Sequence, residues 1–104
     1  MTEYRHSTLI NCAAIHAFIV LYRERNDGRS PSYLRIAKAV KRRDGKPITT
    51  SSSVIKYYID IMLVLGMVKK GEGFYALTPA PKEEWSPLVL DALKTEAEQE
   101  IKSG

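Results

Sequence analysis

The chain has 104 residues, of which 44% are hydrophobic and 27% are charged, so one globular domain with a single core fits and a second catalytic domain does not. The formal net charge of +4 is unevenly placed, because residues 1–81 hold 13 Lys and Arg against 6 Asp and Glu, whereas residues 82–104 hold 3 against 6. A basic body favours a polyanionic partner, although many basic proteins of this size bind no nucleic acid.

Helix one is predicted over about residues 7–26, where apolar side chains recur at helical spacing. Ser7 or Thr8 can cap its start, and Asp27-Gly28 supplies the stop. The apolar face expected to build the core consists of Leu9, Ile10, Ala13, Ala14, Ala17, Phe18, Leu21 and Tyr22.

Helix two is predicted over about residues 32–40, with Ser30 or Ser32 as the N-cap and Pro31 near the first helical position. Its buried face is expected at Tyr33, Ile36, Ala37 and Val40. The basic segment that follows, residues 41–47, contains a glycine turn and a proline, so it forces a sharp reorientation of the chain.

Helix three is predicted over residues 50–65, after a run of hydroxyl side chains that offers several N-caps. A step of 100° per residue places Ile55, Tyr58, Ile59, Met62 and Leu65 on one face. The same step places Ser53, Lys56, Tyr57 and Asp60 on the opposite face. Gly66 is the expected C-cap, since helices commonly end with a glycine at positive φ.

A hairpin and a further helix complete the predicted elements. Residues 68–77 are typical of two short strands around a Gly-Glu-Gly turn, ended by Pro79 and Pro81. Phe74 and Tyr75 in this hairpin are expected to pack against the core. From Lys82 onward the apolar spacing is helical again, so residues 82–104 are predicted as an acidic C-terminal helix beside a domain of residues 1–81.

Several classes of function are not expected. Cys12 is the only cysteine, so no disulfide and no four-ligand zinc site is predicted, and the reducing cytoplasm is the expected compartment. The longest apolar run, residues 12–22, contains His16 and is too short for a membrane span, and no signal peptide is expected. His6 and His16 lack ligands at metal spacing, and neither a cofactor nor an enzyme activity is predicted.

The predicted order of helix, short helix, basic turn, helix and hairpin is that of a winged helix-turn-helix, a mainly α fold with a small β-hairpin. Residues 28–77 resemble the N-terminal DNA-binding domain of the LexA repressor family. The resemblance rests on Gly28-x-x-Pro31-Ser32 before helix two, on Ile36-Ala37 within it, and on residues 63–68, where helix three runs into the wing.

This sequence departs from that family at three places. The turn before helix three, residues 41–49, is longer, and the acidic tail has no counterpart. The chain carries no counterpart of the family's self-cleaving domain, so no autoproteolytic Ser and Lys pair is expected. The resemblance implies that Ser51, Ser53, Lys56 and Tyr57 face the major groove of double-stranded DNA, in agreement with the outward face derived from the helical angle.

The cations around helix three are the candidates for phosphate contacts. They are Lys41, Arg42, Arg43 and Lys46 in the loop and Lys69 and Lys70 in the wing. Arg29 and Arg35 are weaker candidates at helix two. If four to six cations neutralise phosphates, log affinity falls against log salt with a slope of roughly −4 to −5.

Two alternatives remain open from the sequence. The outward face of helix three can instead bind a protein, a role that suits Tyr57 and Val64. The apolar stripe within residues 85–101, at Leu88, Val89, Ala92 and Leu93, can either form a homodimer or pack on its own domain.

Overall fold

The protein is described here by a computed structural model, which covers residues 4–42, 44–71 and 77–103, with side chains as far as residue 99. Its elements in chain order are α1 (His6–Arg25), α2 (Tyr33–Ala39), α3 (Ser52–Val64), β1 (Val68–Lys70), β2 (Leu77–Pro79), a 3-10 turn (Lys82–Glu84) and α4 (Pro87–Ser103). The described chain is therefore mainly helical with one small antiparallel sheet, and the predicted α+β class is confirmed.

Helix α1 lies at the centre of the fold, because it contacts α2, α3, α4 and β2. Its buried residues are Leu9, Cys12, Ile15 and Ile19. The predicted apolar face is confirmed in part, since Leu9 is buried and Ile10, Ala13, Ala14 and Phe18 pack against the core, whereas Ala17 is exposed and Leu21 is 52% exposed. The reason is that α1 has apolar residues on several sides, which is what a helix needs when other elements surround it.

The ends of α1 and α2 differ from the predicted caps. Helix α1 begins at His6 after Arg5, whose side chain makes no capping bond, so neither Ser7 nor Thr8 caps it. In α2 the predicted Ser32 is the N-cap and its Oγ accepts from the amide of Arg35 at 3.2 Å. Pro31 precedes this cap instead of occupying the first helical position.

Helix α3 buries the predicted face. Four of the five predicted residues are buried, Tyr58 is half-buried, and Ile61 is buried as well. The predicted hydroxyl cap is wrong, because Ser51 is the N-cap residue without a side-chain bond, and Thr49 Oγ1 instead accepts from the amide of Ser51 at 3.1 Å. Gly66 follows the helix with φ of 73°, as predicted.

Strands β1 and β2 pair antiparallel, with Val68 opposite Pro79, Lys69 opposite Thr78 and Lys70 opposite Leu77. The second strand therefore ends at Pro79, two residues later than predicted. The amide of Ala80 donates to the carbonyl of Met67 at 2.8 Å, which extends the pairing by one bond. Of the predicted Gly-Glu-Gly turn only Gly71 is described, and Phe74 and Tyr75 lie outside the described residues.

The C-terminal segment packs on its own domain, which was one of the two alternatives left open by the sequence. Trp85, Val89 and Ala92 are buried in the same core as α1 and α3. Their outward neighbours Leu88 and Leu90 remain exposed. None of the described helices combines the length and the apolar character required to cross a membrane.

Candidate nucleic-acid interface

The outer face of α3 is exposed at every predicted position. Ser51, Ser53, Lys56 and Tyr57 are all exposed, and the Tyr57 side chain is 61% exposed. Asp60 follows on the same face, one turn later. The first two turns of the helix therefore present hydroxyl groups, an ammonium group and a phenol, and a carboxylate appears only after them.

The inner face of α3 fixes the direction of this outer face. Ile55 and Ile59 are buried against the core, and α3 packs against α2, α1 and β1. Asn11 on α1 donates from Nδ2 to the hydroxyl of Tyr58 at 3.0 Å. This bond satisfies the polar end of a half-buried tyrosine and ties α3 to α1.

The basic loop before α3 is a small closed turn. Lys41 and Pro47 form an isolated antiparallel bridge, and the amide of Arg42 donates to the carbonyl of Lys46 at 2.7 Å. Gly45 has a φ of 84° and its amide donates to the Arg42 carbonyl at 3.0 Å. Lys41, Arg42 and Lys46 are exposed on this turn, whereas Arg43 lies outside the described residues.

Asp44 reduces the positive charge of this loop and orders it. Its Oδ2 lies 3.1 Å from Nη2 of Arg42, and its Oδ1 accepts from the amide of Lys46 at 2.9 Å. Both members of the ion pair are about half exposed, so the pair contributes little to stability.

The strands contribute two further cations. Lys69 Nζ lies 2.8 Å from Oε1 of Glu84 in an exposed ion pair, while Lys70 at the end of β1 is exposed. Among the predicted cations that the structure describes, Lys41, Lys46, Lys56 and Lys70 have no carboxylate partner within the described part of the chain.

The later part of the α3 outer face is more apolar. Tyr57, Ile61 and Val64 line a shallow hollow of about 230 Å³ together with Asp60 and with Tyr4, which precedes α1. Val64 is 75% exposed. The sequence analysis did not connect Tyr4 with this face, because only the packing of α1 against α3 brings the two segments together.

The two histidines serve in contacts between segments. His6 pairs with Glu96 on α4 at 2.8 Å. His16 Nε2 lies 3.0 Å from the Ala80 carbonyl, which also accepts from Nε1 of Trp85 at 2.9 Å. Burial lowers the pKa of His16 below 6.5, opposed by the bond to Ala80 and reinforced by Lys82.

The groups that could hold a metal or act as a nucleophile are few among the described residues. No three His, Cys, Asp or Glu side chains lie close enough to one another there to bind a metal ion. Cys12 is fully buried, and its burial raises the pKa of the thiol to about 12.

Arg23 was missed by the sequence analysis. Its Nη1 donates to the Leu77 carbonyl at 2.7 Å and to Ser30 Oγ at 3.1 Å, and the Ser30 hydroxyl donates to the same carbonyl. Ser30 is buried, so it serves this network and not as the cap of α2. No signal in the sequence pairs residues 23 and 30 with a strand that begins at residue 77.

No family model, curated protein or solved structure matches this chain.

Proposed function

We propose that this chain is a winged helix-turn-helix transcriptional regulator that binds double-stranded DNA, with α3 in the major groove and the basic loop and the β1–β2 wing on the phosphate backbone. The observation that supports this most is the outer face of α3. Over its first two turns, Ser53, Lys56 and Tyr57 are exposed before any carboxylate appears.

The placement of the cations supports the same function. The loop of residues 41–47, which carries Lys41 and Lys46, ends four residues before α3. Strand β1, which carries Lys70, follows α3 after a turn of three residues. An α-helix is about 10–12 Å across and fits the major groove. Cations before and after such a helix can then reach the backbone on its two sides.

In this proposal Lys56 contacts a guanine edge or a phosphate, and Ser51, Ser53 and Tyr57 contact bases or backbone. Arg42 and Lys69 join the phosphate contacts when their exposed ion pairs with Asp44 and Glu84 open. Arg43 lies outside the described residues and is included among the phosphate contacts only because of its place in the basic loop. About four to six such contacts give a slope of log affinity against log salt of roughly −4 to −5.

The test is fluorescence anisotropy of labelled random-sequence duplex DNA at several salt concentrations. We expect binding at about 50 mM salt, and we expect Lys56→Ala combined with Arg42→Ala to weaken it roughly tenfold or more. The matched control is Lys94→Ala combined with Lys82→Ala, which removes two exposed cations from the C-terminal segment. Failure of the natural chain to bind, or equal losses in both double variants, would overturn the proposal.

A second candidate function is a winged-helix module that binds a protein without binding DNA. The hollow lined by Tyr4, Tyr57, Ile61 and Val64 favours it, because exposed apolar side chains around a recess are typical of protein contacts. The surface potential distinguishes the two candidates: a positive field continuous over loop, α3 and wing favours DNA, and a broken one favours a protein. Loss of partner binding in Val64→Ser, with no DNA binding by the natural chain, would support this second function.

We also propose that the regulator acts as a homodimer, since a single module of this size is usually short of affinity and two copies suit a two-fold site. The segment of residues 85–101 remains the candidate contact. Because Val89 and Ala92 are buried in the chain's own core, the contact has to use Leu88 and Leu90. Sedimentation velocity of the natural chain and of Leu88→Gln tests this, and a monomer at all concentrations would contradict it.

A further inference from the structure

A cleft of about 660 Å³ lies between the end of α1, the loop that leads into α2, and the β1–β2 sheet. Its lining includes three arginines, a tyrosine and two serines: Arg23, Arg29, Arg35, Tyr22, Ser30 and Ser32. No Asp or Glu is among the described residues that line it. No residue of α3 lines it either, so the cleft is separate from the helix face assigned to the major groove, although the β1–β2 sheet borders both.

The floor of this cleft is organised before any ligand arrives. Arg23 is half-buried and is held by the Leu77 carbonyl at 2.7 Å and by Ser30 Oγ at 3.1 Å, both through Nη1. A guanidinium has five N–H donors in a fixed fork. Its Nε and Nη2 have no hydrogen-bond partner among the described residues, so a fixed cation with free donors lies at the floor.

The rim of the cleft adds two exposed guanidinium groups. The Arg35 Cζ lies 5.6 Å from the centroid of the Tyr22 ring, a distance at which cation–π attraction restrains the side chain. Arg29 is exposed on the loop between α1 and α2. Arginine binds phosphate oxygens bidentately, so three arginines around one recess suit a phosphorylated ligand.

Charge and volume indicate the class of ligand. A DNA phosphodiester carries a single negative charge, whereas a terminal phosphate carries nearly two and a polyphosphate carries more. Three guanidinium groups in one recess match the higher charge. A volume of about 660 Å³ lies within the range of small-molecule sites, which is roughly 300–1,000 Å³.

We propose that this cleft binds a small molecule with a terminal phosphate or polyphosphate group, held by Arg23 at the floor and by Arg29 and Arg35 at the rim. The inference goes beyond DNA binding and does not depend on it. A chain that binds no DNA can still carry this site.

The probe is sodium tripolyphosphate, titrated into the full chain by isothermal calorimetry. We expect saturable binding of one anion per chain, weakened about tenfold or more by Arg29→Gln combined with Arg35→Gln. Both residues are exposed, so the variant retains its fold, which circular dichroism checks; Arg23 is left unchanged because its bonds to Ser30 and Leu77 are structural.

The matched control is Arg5→Gln combined with Lys94→Gln, which lowers the net charge by the same amount away from the cleft. We expect this control to change the affinity less than about twofold. Equal weakening in both double variants would show diffuse attraction of a polyanion by a basic protein and would overturn the proposal. So would the absence of saturable binding.

A DNA titration identifies the source of the phosphate. If the cleft double variant loses more affinity for duplex DNA than the control does, and tripolyphosphate gives no saturable binding, the cleft holds the DNA backbone and the small-molecule proposal fails. If the natural chain binds tripolyphosphate but no duplex, the DNA function fails and the cleft proposal stands.

Discussion

The two ends of α3 are held in different ways. At its C-terminal end, Gly66 lies against the backbone of Glu84, the amide of Met67 donates to the Met62 carbonyl at 2.9 Å, and the amide of Ser86 donates to the Leu65 carbonyl at 2.8 Å. At its N-terminal end the described residues of the turn 41–47 bond mainly to one another, and the amide of Ile48 reaches the Val40 carbonyl at 3.4 Å.

The two ends of α3 therefore differ in role: the C-terminal end holds the helix in place, and the N-terminal end lies beside the exposed cations. The C-terminal end is bonded through Leu65 to Ser86 and contacts Glu84 at Gly66, so it is anchored to the segment that leads into α4. The described residues of the turn before the N-terminal end include exposed cations and bond mainly to one another, so we expect this end to open at a lower free-energy cost than the C-terminal end. Four predictions test this comparison, from the largest expected effect to the smallest.

Gly66→Ala is expected to be the most damaging change. An alanine Cβ at this position would lie 2.6 Å from the backbone oxygen of Glu84, at a φ of 73° that disfavours side chains. We expect a loss of about 3 kcal/mol or more in the free energy of unfolding, measured by urea denaturation.

The matched control for this change is Gly45→Ala in the turn before α3. It has a similar φ of 84° but nothing within 4 Å of the added Cβ, so we expect a loss of about 1 kcal/mol. Equal losses at the two glycines would contradict the difference between the ends of α3.

Val89→Ala tests whether α4 supports the core from its own chain. Val89 is fully buried, so its truncation is expected to lower the free energy of unfolding by about 2 kcal/mol. The neighbouring Leu90 is 37% exposed, and Leu90→Ala is expected to cost about half as much or less. A Val89→Ala variant as stable as the natural chain would show that α4 does not contribute to the core.

Glu84→Gln tests whether the ion pair with Glu84 keeps Lys69 of β1 from contacting DNA. The change frees Lys69 from its ion pair, and under the proposed function we expect affinity for random duplex DNA to rise about twofold to threefold at low salt. Glu83→Gln removes a neighbouring charge that has no cation partner among the described residues, and it serves as the control. An equal rise in both variants would mean that only net charge matters.

His16 makes the stability of the region around the C-terminal end of α3 sensitive to pH, because its ring contacts Ala80, which is bonded to Met67. Because its pKa is lowered in the folded chain, the unfolded chain binds more protons below pH 6.5. Stability contributed by the neutral ring is therefore fully present above about pH 6.5 and is lost as the pH falls below it. Urea denaturation between about pH 7 and pH 5 should show a smaller decrease for His16→Gln than for the natural chain, and identical decreases would contradict this role.

The faces of α2 and α3 could be predicted from the sequence, whereas the face of α1 could be predicted only in part. Helix α3 has core on one side and solvent on the other, so its apolar and polar residues separate at a period of 3.6. Helix α1 is surrounded by other elements, and its apolar residues do not mark one face. Periodicity marks the helix face that borders water only where that face is polar, and in α1 the exposed positions include the apolar Ala17 and Leu21.

The candidate sites also differ in whether the sequence could predict them. Lys56 and Tyr57 could be found because both belong to one helix face, which is a local property. The arginine cleft could not be found as a recess, since Arg23, Arg35 and the strand at Leu77 meet only in the folded chain. The apolar stripe of α4 likewise could not reveal which surface covers it, and the structure shows that its own core covers Val89.

The single thiol of the chain, Cys12 on α1, reports how often the protein core opens. Cys12 is fully buried, and its pKa is raised to about 12. In the folded chain a thiol reagent therefore cannot reach the sulfur, and the thiol is not ionised. Its labelling rate therefore measures how often the core separates, because α2, α3 and α4 all pack around this helix. A variant that loosens the packing of α1 against α2, α3 or α4 is expected to increase the rate at which Cys12 is labelled.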